Sequence, residues 1–421
     1  MKRTWLGVTV SASVMLAAAV GVAGDWPCYL GPDQTSASAE TGLLRSWPAE
    51  GPKVLWTTPV GAGFAAPVVS GGEVFILDRG GPEGKVQDIF RCLGLADGKE
   101  KWHVAYDAPG KVSFNGSRTA GAADEKYVFT VGLMGHLSCF DRQEKKLVWQ
   151  KNILKEYGGA MPNWGVSQSP VLYGASVIVG ALGSKAGLVA FNKADGKEAW
   201  AGEPMGKMEY VSPILTTIAG VDQVLVVGGG GKTVAGVSPT DGKTLWTYTG
   251  WGCKIPIAPP ACLGEGRVLL TGGYGAGSAM LQVSKGQAGG FTVTESFRTK
   301  ACGAQIHRPL FYKDHLYVNG NDNRQSDGLL CMDLTGKVLW KTGRDPFFER
   351  GGMLLADGLI FMVDSSQRSL YLIEPDPAGF KVLSSVKILD TEEAWSPLAL
   401  SEGKLLIRDK ASLKCLDVKG K

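Results

Sequence analysis

The sequence is poor in charge and in the residues that concentrate chemistry. Asp, Glu, Lys and Arg make up only 20% of it and balance to a net charge of +4. No basic footprint for nucleic acid results, so no nucleic-acid partner is expected. Histidine occurs four times, at positions 103, 136, 307 and 315, never paired at metal-ligand spacing. The eight cysteines include no adjacent pair and no Cys-x-x-Cys, too sparse a set for a cystine-stapled fold. No long 3.6-residue apolar stripe marks a helix. Past residue 24 no apolar run reaches bilayer-spanning length. What abounds is glycine, 59 of 421 residues, beside 44% hydrophobic residues. That balance excludes general disorder and points to many short strands, tight turns and a large core.

The N-terminus reads as a secretory signal over residues 1–24. Lys2 and Arg3 precede an apolar stretch from Trp5 to Val22, and Val22-Ala23-Gly24 stands before Asp25. A lipid anchor needs cysteine directly after the cleaved small residue, and Cys28 comes three residues late. A soluble monomer, periplasmic or secreted, is therefore expected, with no transmembrane segment after cleavage.

One segment recurs along the rest of the chain. It is seen as Leu95 to Trp102, Phe191 to Trp200, Val237 to Trp246 and Met332 to Trp340, each with an Asp-Gly-Lys or Thr-Gly-Lys turn. A degenerate copy ends at Trp149. Tryptophans fall at 56, 102, 149, 200, 246 and 340, with gaps of 46, 47, 51, 46 and 94. The last gap is two periods, with Phe297 the stand-in for a lost Trp, and one further period falls near Val386. Most periods open on a Pro followed by alternating apolar residues, as at Pro67, Pro170, Pro309 and Pro397. Each period thus reads as four antiparallel strands, the Asp-Gly pair supplying the hairpin turn. Such a period is a propeller blade.

Eight inner strands begin near 66, 118, 169, 212, 259, 308, 352 and 396. The last period has room for only three strands, whereas Lys53-Val-Leu-Trp56 is an outer strand with no blade before it. The ends should therefore join. The expected fold is all-β: an eight-bladed propeller over 53–421, closed by the N-terminal strand pairing into the last blade, after an arm at 25–52. Closure removes a free sheet edge.

The repeat resembles that of the pyrroloquinoline-quinone-like superfamily of eight-bladed propellers. Trp26-Pro-Cys-Tyr-Leu-Gly-Pro32, Trp47-Pro and Gly51-Pro-Lys-Val-Leu-Trp56 are similar to the opening of its exported BamB-like members. The resemblance implies the fold and leaves two functions open, because one fold hosts many. Some members are quinone- and calcium-dependent alcohol dehydrogenases; others are non-enzymatic assembly proteins. The dehydrogenases typically carry a disulfide between adjacent cysteines and large inserts, and neither is present here. The resemblance therefore favours a non-catalytic binding protein, with no catalytic residues, metal ligands or cofactor expected. A quinone-dependent alcohol or sugar dehydrogenase, or a degenerate relative, is the alternative.

Gly228-Gly-Gly-Gly-Lys232-Thr233 imitates a phosphate loop, but Val226 stands where that motif needs glycine. The repeated tryptophans read as inter-blade packing. Cys92, Cys139, Cys331 and Cys415 share one repeat position and read as small buried filler. Cys253 and Cys302 each stand seven residues before an inner-strand Pro, so they could face each other as a disulfide. The informative residues are those in the loops leading into inner strands, which gather at one mouth of the axial channel. They are Asn163, Trp164, Gln168, Glu209, Tyr210, Lys254, Gln305, His307, Arg308, Arg350, Glu393 and Trp395, with Trp251 and Glu392 nearby. Aromatics with mixed polar groups in a concave mouth suit a protein or other macromolecular partner, or a ligand.

Overall fold

The computed structural model describes residues 24–181, 183–207, 210–287 and 289–420. The expected secretory signal lies outside these residues, Gly24 excepted. Eight antiparallel four-stranded sheets surround a central axis, one of them extended by a short fifth strand. The first blade shows the plan, with strands Val68–Ser70, Glu73–Gly80, Gln87–Gly94 and Glu100–Asp107 from the axis outward. The inner strand is fully buried, whereas the outer one alternates between buried and exposed side chains. Apolar clusters lie between adjacent sheets, and burial of these faces is what drives the blades together.

The last blade contributes Ala399–Ser401, Lys404–Arg408 and Ser412–Asp417, and Val54–Pro59 completes it as outermost strand. Trp56 pairs with Cys415 in that closure. The same Cys–Trp register recurs as Cys92 with Trp102, Cys139 with Trp149 and Cys331 with Trp340. All four thiols are buried, and a small side chain there leaves space for the indole across the strand pair.

The repeated turn is shaped by its neighbour. Gly98, Gly196 and Gly242 take positive φ, and a Cβ at each would lie within 3 Å of Trp56, Trp149 or Trp200 of the preceding blade. Phe297 fills the same niche beside Gly336. The indole N–H groups tie the blades together: Trp56 donates to Leu95 O at 2.9 Å, Trp149 to Lys193 O at 2.9 Å and Trp340 to Asp376 O at 2.9 Å.

The arm does more than reach the last blade. It runs around the channel mouth opposite the lead-in loops, bonding to one inner strand or first turn after another. Trp26 and Val69 exchange backbone bonds, Leu215 N donates to Gln34 Oε1 at 2.7 Å, and Ala37–Ser38 pairs in parallel with Leu355 and Ala356. Glu40 accepts from the backbone of Glu402 and Gly403 in the last blade. One helical turn, Ile153–Tyr157, follows the outer strand of the second blade. No helix among the described residues is long and apolar enough to cross a membrane.

Candidate functional site

The inner strands all run from the lead-in loops toward the arm, so the loops converge on the other mouth of the channel. There they enclose a cavity of about 340 Å³ to which every blade contributes. Phe64 precedes the first inner strand, Phe114 and Arg118 the second, Trp164 and Ser167 the third, Tyr210 and Ser212 the fourth. Ile257, Gln305 with Ile306, Arg350, and Trp395 with Pro397 precede the remaining four. Tyr274 and Asn323 enter from loops between second and third strands, and Tyr29 of the arm forms the base. No Asp or Glu lines the cavity among the described residues.

Its walls are braced aromatics. Phe64 stacks on Trp395 at 5.0 Å between ring centroids, with Phe114 at 5.9 Å from the same indole. Trp164 and Tyr210, from neighbouring blades, pack against each other at 5.3 Å. Arg350 lies 5.2 Å over the Trp395 ring, a cation–π contact, and Arg118 lies 5.0 Å over Phe64. Glu349 sits behind the wall, accepting from Trp395 Nε1 at 2.6 Å, from Ser365 Oγ and from Arg350. Three non-glycine residues of the cavity, Phe114, Tyr274 and Asn323, hold positive φ, and so do Phe348 and Glu349 behind it. Left-handed backbone costs free energy and gathers where the surrounding structure imposes it, as at binding sites.

The sequence candidates divide. Trp164, Tyr210, Gln305, Arg350 and Trp395 meet in the cavity. Gln305 joins two of its neighbours, accepting from Arg350 Nε at 2.8 Å and donating to Tyr274 at 3.0 Å. His307 is buried beneath, its Nε2 2.9 Å from Arg350 O, and burial pulls its pKa down to about 4. It is a neutral prop for Arg350 with no face on the cavity. Arg308 does not belong to this mouth: it is 3% exposed and donates to Gln34 O and Cys262 O, clamping the arm in the channel. Gln168 is buried inside its blade, against Gly180. Asn163 and Lys254 are exposed outside the cavity, Glu393 pairs with Lys410, and Glu209 lies outside the described residues. Trp251 is buried in the core.

The possible disulfide between Cys253 and Cys302 is not formed; both thiols are free and buried. Matching loop positions put them on opposite faces of the fifth blade. Cys253 packs with Leu270 and Ala279, and Cys302 with Leu269 and Met280, neighbours that alternate across one sheet.

The cavity also holds Tyr29, Phe64, Phe114, Arg118, Tyr274 and Asn323, which the sequence reading passed over. Phe64 stands three residues before Pro67, as Tyr210 does before Pro213, so the same phase rule would have found it. The arm's route gave no such signal.

A sequence family described as outer membrane protein assembly factor BamB matches residues 85–252. The eight-bladed architecture and its repeat agree with that match. The chain is an eight-bladed propeller whose repeat resembles that of the pyrroloquinoline-quinone-like propellers. Solved structures share its fold at low identity. A quinohemoprotein alcohol dehydrogenase from Comamonas testosteroni is 13% identical, TM-score 0.64, over 96% of this chain and 82% of that one. A europium-containing methanol dehydrogenase is 12% identical, TM-score 0.66, over 94% and 90%. BamB from Moraxella catarrhalis is 13% identical, TM-score 0.58, over 87% and 100%. No curated protein sequence matches the chain.

The quinone and metal that such neighbours imply would need matching donors in the cavity. A calcium-type cation takes six to eight oxygen ligands, several of them carboxylate. The cavity wall presents none, Glu349 is held by three donors, and no cluster of three metal-ligating side chains occurs among the described residues. The residues do not fit a metal-assisted quinone site.

Proposed function

We propose that this propeller is an exported, non-catalytic binding protein that engages a protein partner through its lead-in-loop face, with the aromatic cavity as the anchor point. One observation carries the reading. All eight blades deliver side chains to a single cavity walled by Tyr29, Phe64, Phe114, Trp164, Tyr210 and Trp395, with no Asp, Glu or His among the described wall residues. Aromatic and Arg side chains dominate binding hot spots, and these are pre-ordered by stacking and by the bonds to Glu349. The opposite face repeats one Gly-Lys turn in four blades, at Gly98, Gly196, Gly242 and Gly336, and these near-copies offer a partner little to discriminate.

The test is site-specific photocrosslinking in the exporting host. A benzoylphenylalanine at Phe114 should crosslink one discrete partner, and Trp395→Ala should remove that product. The same probe at Lys243, on the repeated turns, should give nothing. A product from position 243 and none from 114 defeats the reading. The dehydrogenase alternative has its own arm: pyrroloquinoline quinone with calcium should neither raise the melting temperature nor support dye reduction by an alcohol.

A further inference from the structure

The two guanidinium groups of the cavity are in different electrostatic states. Arg350 is saturated: Nε donates to Gln305 at 2.8 Å, one terminal nitrogen donates to Asn323 at 2.6 Å, and the other pairs with Glu349. Its charge is matched and its donors are used. Arg118 is neither. It donates from Nε to Trp164 O at 2.7 Å and from Nη2 to Phe114 O, both neutral carbonyls. Among the described residues its Nη1 has no acceptor and no carboxylate pairs with it; the neighbour that acts on its charge is the Tyr210 phenol. Its charge lies instead over the Phe64 ring at 5.0 Å, and burial pulls its pKa down to about 10. A guanidinium partly withdrawn from water without a counter-charge is costly, and an incoming anion relieves that cost.

We propose that Arg118 is the anion anchor of the cavity, which takes a single carboxylate carried on an aromatic body. This rests on the cavity being the binding site. The charge count selects the anion. One unmatched cation balances one carboxylate, whereas a phosphate dianion or a polycarboxylate would leave charge stranded among aromatic rings. The walls select the body, because Phe64, Phe114, Trp164, Tyr210 and Trp395 line the cavity with aromatic surface. The volume limits its size: about 340 Å³ is at the low end for small-molecule sites, roughly 300–1,000 Å³. Phe114 completes the arrangement. It is 52% exposed at the rim in a left-handed conformation, and Arg118 holds its carbonyl. The residue that binds the anion thus also positions the ring that would cover the ligand.

Such a group can come from a free aromatic acid or from the C-terminal residue of a polypeptide. Calorimetry on the full chain separates them with three probes: 3-phenylpropionate, an acetylated tripeptide ending in Phe with a free carboxylate, and its C-terminal amide. An acid probe should bind saturably at one site, and the amide at least about tenfold more weakly, as expected for loss of a charge-assisted bond. Binding of phenylpropionate alone assigns the free acid; binding of the tripeptide acid assigns the chain terminus. Arg118→Gln should weaken the acids by a similar factor and leave the amide unchanged, with Arg118→Lys between. If Arg118→Gln disturbs the loop, the acid–amide comparison on the unaltered protein still decides. Equal binding of acid and amide, or no acid binding at millimolar concentration, overturns the proposal. If crosslinking from position 114 persists in that event, the cavity reading survives and only the anion anchor falls.

Discussion

Acid should unfold this propeller through His307 before most carboxylates titrate. The ring is buried, its Nε2 proton lies on the Arg350 carbonyl, and burial lowers the pKa from 6.5 to about 4. The folded chain therefore takes up this proton less readily than the unfolded chain. Stability from the neutral ring is whole above the unfolded value and is lost as pH falls from about 6.5 toward 4. Linkage across that window gives roughly 2 kcal/mol lost near pH 5 and roughly 3 kcal/mol near pH 4. His136 shifts the same way for the same reason, so the parent's pH slope alone does not isolate one ring. The decisive measurement is urea unfolding of the parent and of His307→Gln across this range. Glutamine can still donate to Arg350 O but carries no titrating proton. The two stability curves should converge as pH falls, the variant being the flatter. Parallel curves would show that His307 does not titrate in this window and would refute the argument. Because Arg350 also holds Gln305, Asn323 and the Trp395 face, the cavity should loosen with the same pH dependence.

Other consequences follow from the packing. Trp56→Phe should cost about 1–2 kcal/mol beyond Trp102→Phe, because Trp56 Nε1 bonds Leu95 O whereas Trp102 Nε1 is buried without a partner; equal midpoints in urea would contradict this. Arg308→Ala should destabilise the protein by about 2–4 kcal/mol and open residues 25–47 to proteolysis, since the guanidinium is buried and clamps Gln34; a stable, protease-resistant variant would show that the arm holds without it. Deletion of 25–57 should expose the edge strand Ser412–Asp417 and cause aggregation, read by light scattering. Lys99→Ala and Lys243→Ala should leave melting and partner binding unchanged, because both ammonium groups are exposed on the repeated turns.

The sequence by itself determined the blades. A turn that needs glycine next to an indole can repeat only where each unit packs on a like unit, so Gly98 with Trp56 and Gly336 with Phe297 are one constraint written twice. The closing strand was legible for the same reason: Trp56 carries the outer-strand mark with no strands before it. Loop phase relative to the inner-strand Pro located Trp164, Tyr210, Gln305, Arg350 and Trp395 at one mouth. Phase fixes where a loop stands along the axis, not which way a side chain turns, so Arg308 and Gln168 were counted with the mouth although they point elsewhere. Only the tertiary structure decided that the arm lines the far mouth, because its bonds go to non-local residues such as Val69, Ala123, Leu215 and Leu355 rather than to a repeat. Only it separated Cys253 from Cys302, since sheet alternation sets the face and spacing in the chain does not. And only it distinguished Arg350, neutralised by Glu349, from Arg118, which pairs with no carboxylate among the described residues: the sequence supplies both cations, but their pairing is set by the three-dimensional positions of the carboxylates.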